Sequence, residues 1–187
     1  MDWFEKLVGF KETSYEKTRD KLCIEENELV SRVNDARYKI GTLDLISLDK
    51  LRQEGSSNDK GGSKLKVSVV TGDVRQMHQA PINLGAMFQV ASQFNLLEMI
   101  SPEITPEDGV TRYENDGTQG PACAIAAGAA TIYRNYFAPI KGQNGQTEDR
   151  QLNGLEDLGT ALSSALKLPI GDLWTIRNGY ALARQSG

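Results

Sequence analysis

Short apolar segments and polar loops follow one another along the chain, and their periodicity predicts alternating strands and helices. Residues 65–70 (LKVSVV) are rich in β-branched side chains and predict a strand that leads into Thr71-Gly72-Asp73-Val74. Residues 86–92 predict a second, short buried strand. From Pro121 onwards the spacing becomes helical, because small and apolar residues recur at Ile125, Gly128, Ala129, Ile132 and Tyr136.

Further elements are predicted before and after this central part. Residues 15–22 and 155–167 have helical patterns, and residues 47–54 form a third predicted helix with Ser47 as its N-cap. Residues 28–46 predict two short strands around the turn signal Asn34-Asp35. Residues 173–182 predict either one strand broken at Asn178-Gly179 or a hairpin.

Two polar stretches divide the chain. Residues 55–64 (GSSNDKGGSK) contain nothing apolar and predict a flexible loop between an N-terminal α+β extension, residues 1–54, and a main domain, residues 65–187. Residues 141–154 predict a second polar loop, either a lid or a disordered excursion. The expected fold class is α/β.

Composition narrows the function classes. The 187 residues carry a net charge of -4, which does not favour nucleic-acid binding through a general basic surface. No apolar run approaches the ~18 residues of a membrane span, and the start lacks a signal-peptide core, so a cytoplasmic setting is expected. Cys23 and Cys123 match no metal spacing, and a single histidine, His78, leaves no Ser-His-Asp triad to assemble.

The most informative segment is an acidic loop that leads into the helix after Pro121. Three features suit it to an anionic ligand such as a pyrophosphate: Gly109, Gly117 and Gly120 allow close backbone approach, a helix N-terminus follows, and Gln93, Asn95 and Gln119 supply uncharged polar groups. A solvated acidic surface is the alternative. Mg²⁺ is conceivable, but the spacing of the acids fits no defined metal loop. The loop carries five carboxylates: Glu103, Glu107, Asp108, Glu114 and Asp116.

The order of these segments resembles macrodomains, which bind ADP-ribose on an α/β sheet. By this resemblance, Asp73 and Val74 match the Gly-Asp-Val element that reads adenine, and residues 91–95 loosely match the element at the distal ribose. Residues 117–130 correspond to the phosphate loop and the alanine-rich helix. The resemblance implies a mixed sheet flanked by helices. The chain lacks the Gly-Gly-Gly run of macrodomains and the Gln-Glu-Glu signature of poly(ADP-ribose) glycohydrolases, which argues against polymer hydrolysis.

A closer similarity is to macrodomain-like ADP-ribosylhydrolases that remove ADP-ribose from arginine, including arginine on ubiquitin. It covers about residues 65–137 and extends to residues 174–182, and it implies that Asp108 and Asp116 form the catalytic pair, with no cofactor and with an ADP-ribosylated protein as partner. Full macrodomains continue with further strand–helix units, so the likeness implies a reduced or an incomplete version. A non-catalytic ADP-ribose reader and a structural interaction domain are the alternatives. The ligand-binding residues implied are Asp73, Val74, Gln93, Asn95, Gly117, Thr118, Gln119 and Gly120.

Overall fold

The structure, a computed structural model, describes residues 1–57, 66–88 and 92–183. This part of the chain combines eight α-helices with seven short strands, so the fold is mixed α and β, as predicted. The helices are α1 (Trp3–Val8), α2 (Tyr15–Asp20), α3 (Leu48–Ser57), α4 (Val74–Met77), α5 (Gln119–Ala126), α6 (Gly128–Tyr136), α7 (Glu156–Leu166) and α8 (Ile170–Leu173). Three 3₁₀ helices span Pro81–Asn83, Pro106–Asp108 and Thr111–Asn115.

The strands form small antiparallel sheets. The first sheet has the order β1 (Leu22–Glu25), β2 (Glu28–Ser31), β3 (Arg37–Lys39), with Leu22 opposite Ser31 and Leu29 opposite Tyr38. Two further pairs are β4 (Pro139–Ile140) with β5 (Gln143–Asn144), and β6 (Trp174–Arg177) with β7 (Tyr180–Ala183). Among the described residues all strand pairs are antiparallel, so the single mixed sheet expected from the macrodomain resemblance is not found there.

The chain divides into two compact units whose boundaries differ from the predicted ones. Residues 1–43 and 89–187 form the first unit, and residues 44–88 form the second. The N-terminal residues therefore share a unit with the acidic loop instead of forming a separate extension. The second unit contains α3, α4 and the 3₁₀ helix Pro81–Asn83.

The core of the first unit joins residues that are distant in sequence. Helix α1 packs on α6 at Gly128, where a Cβ would lie 3.0 Å from the ring of Trp3. The Tyr15 and Tyr136 rings are 4.8 Å apart, and burial raises the pKa of Tyr15 to about 12. One cluster buries Phe4, Val8, Phe10, Tyr15, Leu22, Leu29, Val110, Tyr113, Ala124, Ala129, Ile132 and Tyr136.

Most local predictions are confirmed. Helices α2, α3 and α7 lie where the helical patterns placed them, and Ser47 Oγ accepts a hydrogen bond from Lys50 N at 3.2 Å, as its N-cap role requires. Residues 174–183 form a hairpin, one of the two alternatives predicted for residues 173–182, with Asn178 and Gly179 at the turn. The helix predicted from Pro121 onwards is two helices, α5 and α6, which break at Ala127. Strand β1 was not predicted.

Two predicted strands are wrong where the structure describes them. Residues 66–70 have no regular structure, and Val69 is 99% exposed, because none of the described strands pairs with this segment. Residues 86–88 and Ser92 are not in a strand either, and residues 89–91 lie outside the described part.

The predictions for the two polar loops need a correction. The first loop was predicted to begin at residue 55, but α3 extends to Ser57, and residues 58–64 lie outside the described part. The second loop, residues 141–154, is packed instead of being a disordered excursion. The Gln146 side chain is fully buried there, and its Nε2 donates to Asn95 O at 2.9 Å.

Candidate functional site

A cavity in the first unit brings together half of the residues that the sequence singled out. Its volume is about 410 Å³, within the range typical of small-molecule sites. The predicted residues Gln93, Asp116, Thr118, Gln119 and Gly120 contribute to its wall. The remaining lining residues are Glu98, Met99, Ile100 and Tyr180. Below it is called the Glu98–Asp116 cavity.

Asp116 is held at the junction between two helices. It follows the 3₁₀ helix Thr111–Asn115 and precedes α5, whose N-cap is Thr118. Its Oδ1 accepts hydrogen bonds from Thr118 N at 2.9 Å and from Thr118 Oγ1 at 2.7 Å. These bonds fix the turn through Gly117 and keep the Asp116 carboxylate at the entrance of α5.

Glu98 is the residue that the sequence reasoning missed. Its backbone is anchored on both sides, because its N–H donates to Tyr113 Oη at 3.0 Å and its carbonyl accepts from Arg112 Nη1 at 2.7 Å. Its carboxylate lies against the first turn of α5, so that a Cβ on Gly120 would collide with Glu98 Oε2. Glycine at position 120 is therefore what makes room for this carboxylate. The signal available in the sequence was an acid between two apolar residues, Leu97 and Met99.

Burial and the neighbouring charges both shift the pKa of Glu98. Burial raises the pKa of its carboxyl above the usual range, and the negative charge of Asp116 adds to the rise. The guanidinium groups of Arg134 and Arg112 oppose it. Among the described residues, no donor hydrogen-bonds to the Glu98 carboxylate. Glu98 is thus a half-buried acid whose negative charge is offset by the nearby Arg134 and Arg112 guanidinium groups but not by hydrogen bonds from the described residues.

Asp108, the other predicted catalytic residue, has different surroundings. It is exposed and does not line the cavity. Its Oδ2 accepts from Thr105 N at 2.8 Å and from Thr105 Oγ1 at 3.3 Å, which closes a capping box on the 3₁₀ helix Pro106–Asp108. The structure therefore brings Asp116 together with Glu98 and gives Asp108 the role of a helix cap.

Gln93 and Asn95 are largely occupied by internal hydrogen bonds. Gln93 Oε1 accepts from Met99 N at 2.6 Å. The fully buried Asn95 side chain donates to Gln151 Oε1 at 2.8 Å and accepts from Leu97 N at 3.1 Å. Gln151 continues this network by donating to Asn178 Oδ1 at 2.7 Å. Asn95 therefore joins the turn of the β6–β7 hairpin to the residues before Glu98, whereas Gln93 also reaches the cavity wall.

Asp73 and Val74 belong to the second unit. Asp73 is the N-cap of α4, accepting from Arg75 N at 2.9 Å, and it forms an ion pair with the Arg75 side chain at 2.9 Å. Hydrogen bonding from Arg75 lowers the pKa of the Asp73 carboxyl. Val74 is buried within α4. Gly117 needs no close approach in this structure, since nothing lies within 4 Å of a Cβ built on it.

The other acids of the loop divide into bound and free ones. Glu103 forms an ion pair with Arg177, and both oxygens of Glu107 accept from Glu148 N, at 2.9 and 3.0 Å. Glu114 is exposed. Most of the acidic loop is therefore held by specific contacts, so it is not simply a solvated surface.

The carboxylate of Glu12 also holds the acidic loop in place through hydrogen bonds. It accepts hydrogen bonds from four groups: Val110 N, Thr111 N, Thr111 Oγ1 and Tyr136 Oη, the last at 2.7 Å. Gly109, at a φ of 77°, allows this approach, because a Cβ there would lie 2.5 Å from Glu12 Oε2. Burial, followed by the charge of Glu12, raises the pKa of Tyr136.

The described residues contain no group of three or more His, Cys, Asp or Glu side chains placed to hold a metal ion. Within the same residues, no helix is long and apolar enough to cross a membrane. Comparisons with family models, curated proteins and solved structures found no match to this chain.

Proposed function

We propose that this protein is an ADP-ribosylhydrolase that binds ADP-ribose in the Glu98–Asp116 cavity and releases it from an arginine side chain. One observation supports this most strongly. Two carboxylates share a ligand-sized cavity with the backbone of Thr118, Gln119 and Gly120 at the start of α5. The N-terminus of a helix can bind the pyrophosphate, and carboxylates beside it can act on the reaction at C1 of the ribose.

The chemistry is that of N-glycoside hydrolysis through an oxocarbenium-like state. Water forms a bond to C1 of the ribose while the bond from C1 to the guanidinium nitrogen breaks, and its electron pair stays with that nitrogen. Asp116 accepts the proton of the attacking water and then returns it to the neutral guanidine. Glu98 faces the positive charge that moves from the substrate guanidinium onto the ribose as the C1–N bond breaks.

The remaining parts of the proposal come from the resemblance. By this resemblance Asp73 and Val74 would recognise adenine, and Gln93 would contact a ribose hydroxyl. A macrodomain-like architecture, a cytoplasmic location and a modified protein such as ubiquitin as substrate belong to the same proposal. No metal or other cofactor takes part in it.

A second candidate is a non-catalytic reader of ADP-ribose. The position of Asp108 favours it, because Asp108 caps a 3₁₀ helix and the implied Asp108–Asp116 pair does not share one cavity. A reader binds ADP-ribose and releases nothing from a modified protein. A structural interaction domain, the third alternative, does not bind ADP-ribose in this cavity.

The test combines calorimetry with an assay on arginine-linked ADP-ribose. In the hydrolase, Asp116→Ala should lower turnover by about a hundredfold or more, while ADP-ribose affinity changes only a few-fold. The matched control is Glu114→Ala, which removes an exposed acid from the same loop and should leave turnover unchanged. Binding of ADP-ribose without turnover by the unaltered protein supports the reader, and absence of both rejects the site.

A further inference from the structure

A second cavity lies elsewhere in the first unit and shares no lining residue with the Glu98–Asp116 cavity. It opens between α2, β1 and the C-terminal end of α6, and its volume is about 500 Å³. It is called the arginine groove below. Its lining residues are Arg19, Asp20, Leu22, Cys23, Ile24, Arg32, Tyr133, Phe137, Pro139 and Asn144.

Both arginines are fixed at this groove by contacts that leave hydrogen-bonding capacity free. The Arg19 guanidinium lies 5.7 Å from the centre of the Phe137 ring, a cation–π contact that uses its face and leaves its edge available. Arg32 Nη1 donates to Asp20 O at 3.3 Å, which uses one of its five N–H donors.

The charge of the two arginines is not neutralised by ion pairs. Within the described residues, neither Arg19 nor Arg32 has a carboxylate oxygen within 4.0 Å. Arg37 on β3 provides a contrast, because it pairs with Glu25 at 2.7 Å and with Glu28 at 2.9 Å. Among the described residues Asp20 is the one acid in the lining, so their side chains give the groove more positive than negative charge.

The walls of the arginine groove add a second constraint on the ligand, its shape and polarity. Tyr133 and Phe137 offer ring surfaces, and Ile24 and Pro139 offer further apolar surface. The volume is in the range of about 300–1,000 Å³ that holds small organic ligands, larger than a lone anion needs. Guanidinium groups bind phosphate through paired N–H donors, and aromatic side chains stack with flat rings.

We propose that the arginine groove is a binding site for a phosphate monoester attached to a flat ring, the chemistry of a nucleoside monophosphate. Arg19 and Arg32 bind the phosphate, and the ring lies along Tyr133 and the neighbouring apolar wall. This site is independent of the hydrolase proposal, because the two cavities have no residue in common.

Cys23 makes the site directly measurable, because it lines the groove and is half-exposed. In a Cys123→Ser chain Cys23 is the sole thiol, and its rate of reaction with a soluble disulfide reagent reports on occupancy. The probes are AMP, inorganic phosphate and adenosine. AMP at saturation should slow the reaction about tenfold, whereas phosphate or adenosine at the same concentration should have much weaker effects.

Variants locate the binding. Arg19→Ala combined with Arg32→Ala should abolish protection by AMP, and Arg19→Lys with Arg32→Lys should weaken AMP binding about tenfold by removing the paired donors while keeping the charge. If the alanine pair does not fold, the lysine pair carries the test. Arg37→Ala is the control, because it also removes an arginine charge but at a position outside the groove. This variant should leave AMP binding unchanged.

Three results would overturn the proposal. The first is no protection of Cys23 by AMP up to about 10 mM, a concentration that corresponds to binding too weak to be specific. The second is protection that survives in both arginine variants, and the third is equal protection by phosphate alone. Loss of protection in the arginine variants separates the groove from any nucleotide bound in the Glu98–Asp116 cavity, because neither arginine lines that cavity.

Discussion

Glu12 and Glu98 are two partly buried carboxylates in the same unit, but they differ in the number of hydrogen bonds that they accept. Glu12 accepts hydrogen bonds from four donor groups that belong to Val110, Thr111 and Tyr136. Glu98 has none among the described residues, and its burial raises the pKa of its carboxyl. A buried charge that is fully hydrogen-bonded stabilises a fold, whereas one left without donors costs stability.

The two carboxylates also differ in what surrounds them. Glu12 organises the acidic loop, and the loop in turn holds Asp116 at the start of α5. Glu98 stands beside Asp116 in a cavity that Gly120 keeps open. A carboxylate that lies in a cavity and whose burial raises its pKa is a candidate for binding a ligand or for catalysis.

The largest effect is expected when the well-satisfied carboxylate is removed. Glu12→Ala leaves two backbone N–H groups and two hydroxyls without their acceptor, and should lower the free energy of unfolding by about 3 kcal/mol. Urea denaturation measures it. Glu16→Ala, at an exposed acid of α2, is the control and should change stability by less than about 0.5 kcal/mol. A loss below about 1 kcal/mol for Glu12→Ala would contradict the structural role of this carboxylate.

Glu98→Gln should show the opposite behaviour in stability. The pKa of Glu98 is raised in the folded chain, so its stabilising contribution is present below the unfolded pKa and is lost as the pH rises through the folded pKa. Glutamine is uncharged throughout, so the variant should be more stable than the parent near pH 7. The two should converge as the pH falls to about 4 and below, where glutamate becomes largely protonated in both states.

The same variant should lose about a hundredfold in turnover of arginine-linked ADP-ribose, because the charge facing the substrate is gone. Thermal denaturation between pH 4 and 8, together with the hydrolase assay, measures both effects. Glu114→Gln, at an exposed acid, should change neither. If Glu98→Gln is less stable than the parent at pH 7, Glu98 has a structural role like that of Glu12.

The smallest effect is expected at the contact that positions Glu98. In Gly120→Ala the new methyl group would collide with the carboxylate end of a flexible side chain, so Glu98 moves and α5 remains intact. Stability should stay within about 1 kcal/mol of the parent, since alanine favours helix, while turnover falls about tenfold through mispositioning. Gly171→Ala, in α8 with nothing within 4 Å of its Cβ, is the control. Unchanged turnover in Gly120→Ala would show that the position of Glu98 is unimportant.

Local signals account for what the sequence predicted correctly. The N-cap Ser47 and the Asn178-Gly179 turn act over a few residues, so α3 and the β6–β7 hairpin could be placed from the sequence. Residues 66–70 have the composition of a strand, but a strand also needs a neighbouring strand to pair with. The residues of the segment itself do not determine whether such a neighbour exists. The same limit applies to residues 86–88.

The site was predictable only in part, for the same reason. Glycines before a helix drew attention to Asp116 and residues 117–120, which the structure does place on a cavity wall. Glu98 could not be recognised, because its importance comes from packing against Gly120 and from the charges of Arg112 and Arg134. Asn95 has the residue type of a ligand-binding group, yet its partner Gln151 lies 56 positions away and binds it internally.

The bond between Glu12 and Tyr136 spans 124 positions of the chain. On a ribosome that adds about 5–20 residues per second, the first helices wait roughly 6–25 s for their partner to be synthesised. During that time Phe4, Val8 and Phe10 have no α6 to cover them, and the whole of residues 44–88 is made in between. Slower synthesis of this middle segment would lengthen that exposure, so the rate of translation, as well as the sequence, governs how much of the nascent chain escapes aggregation.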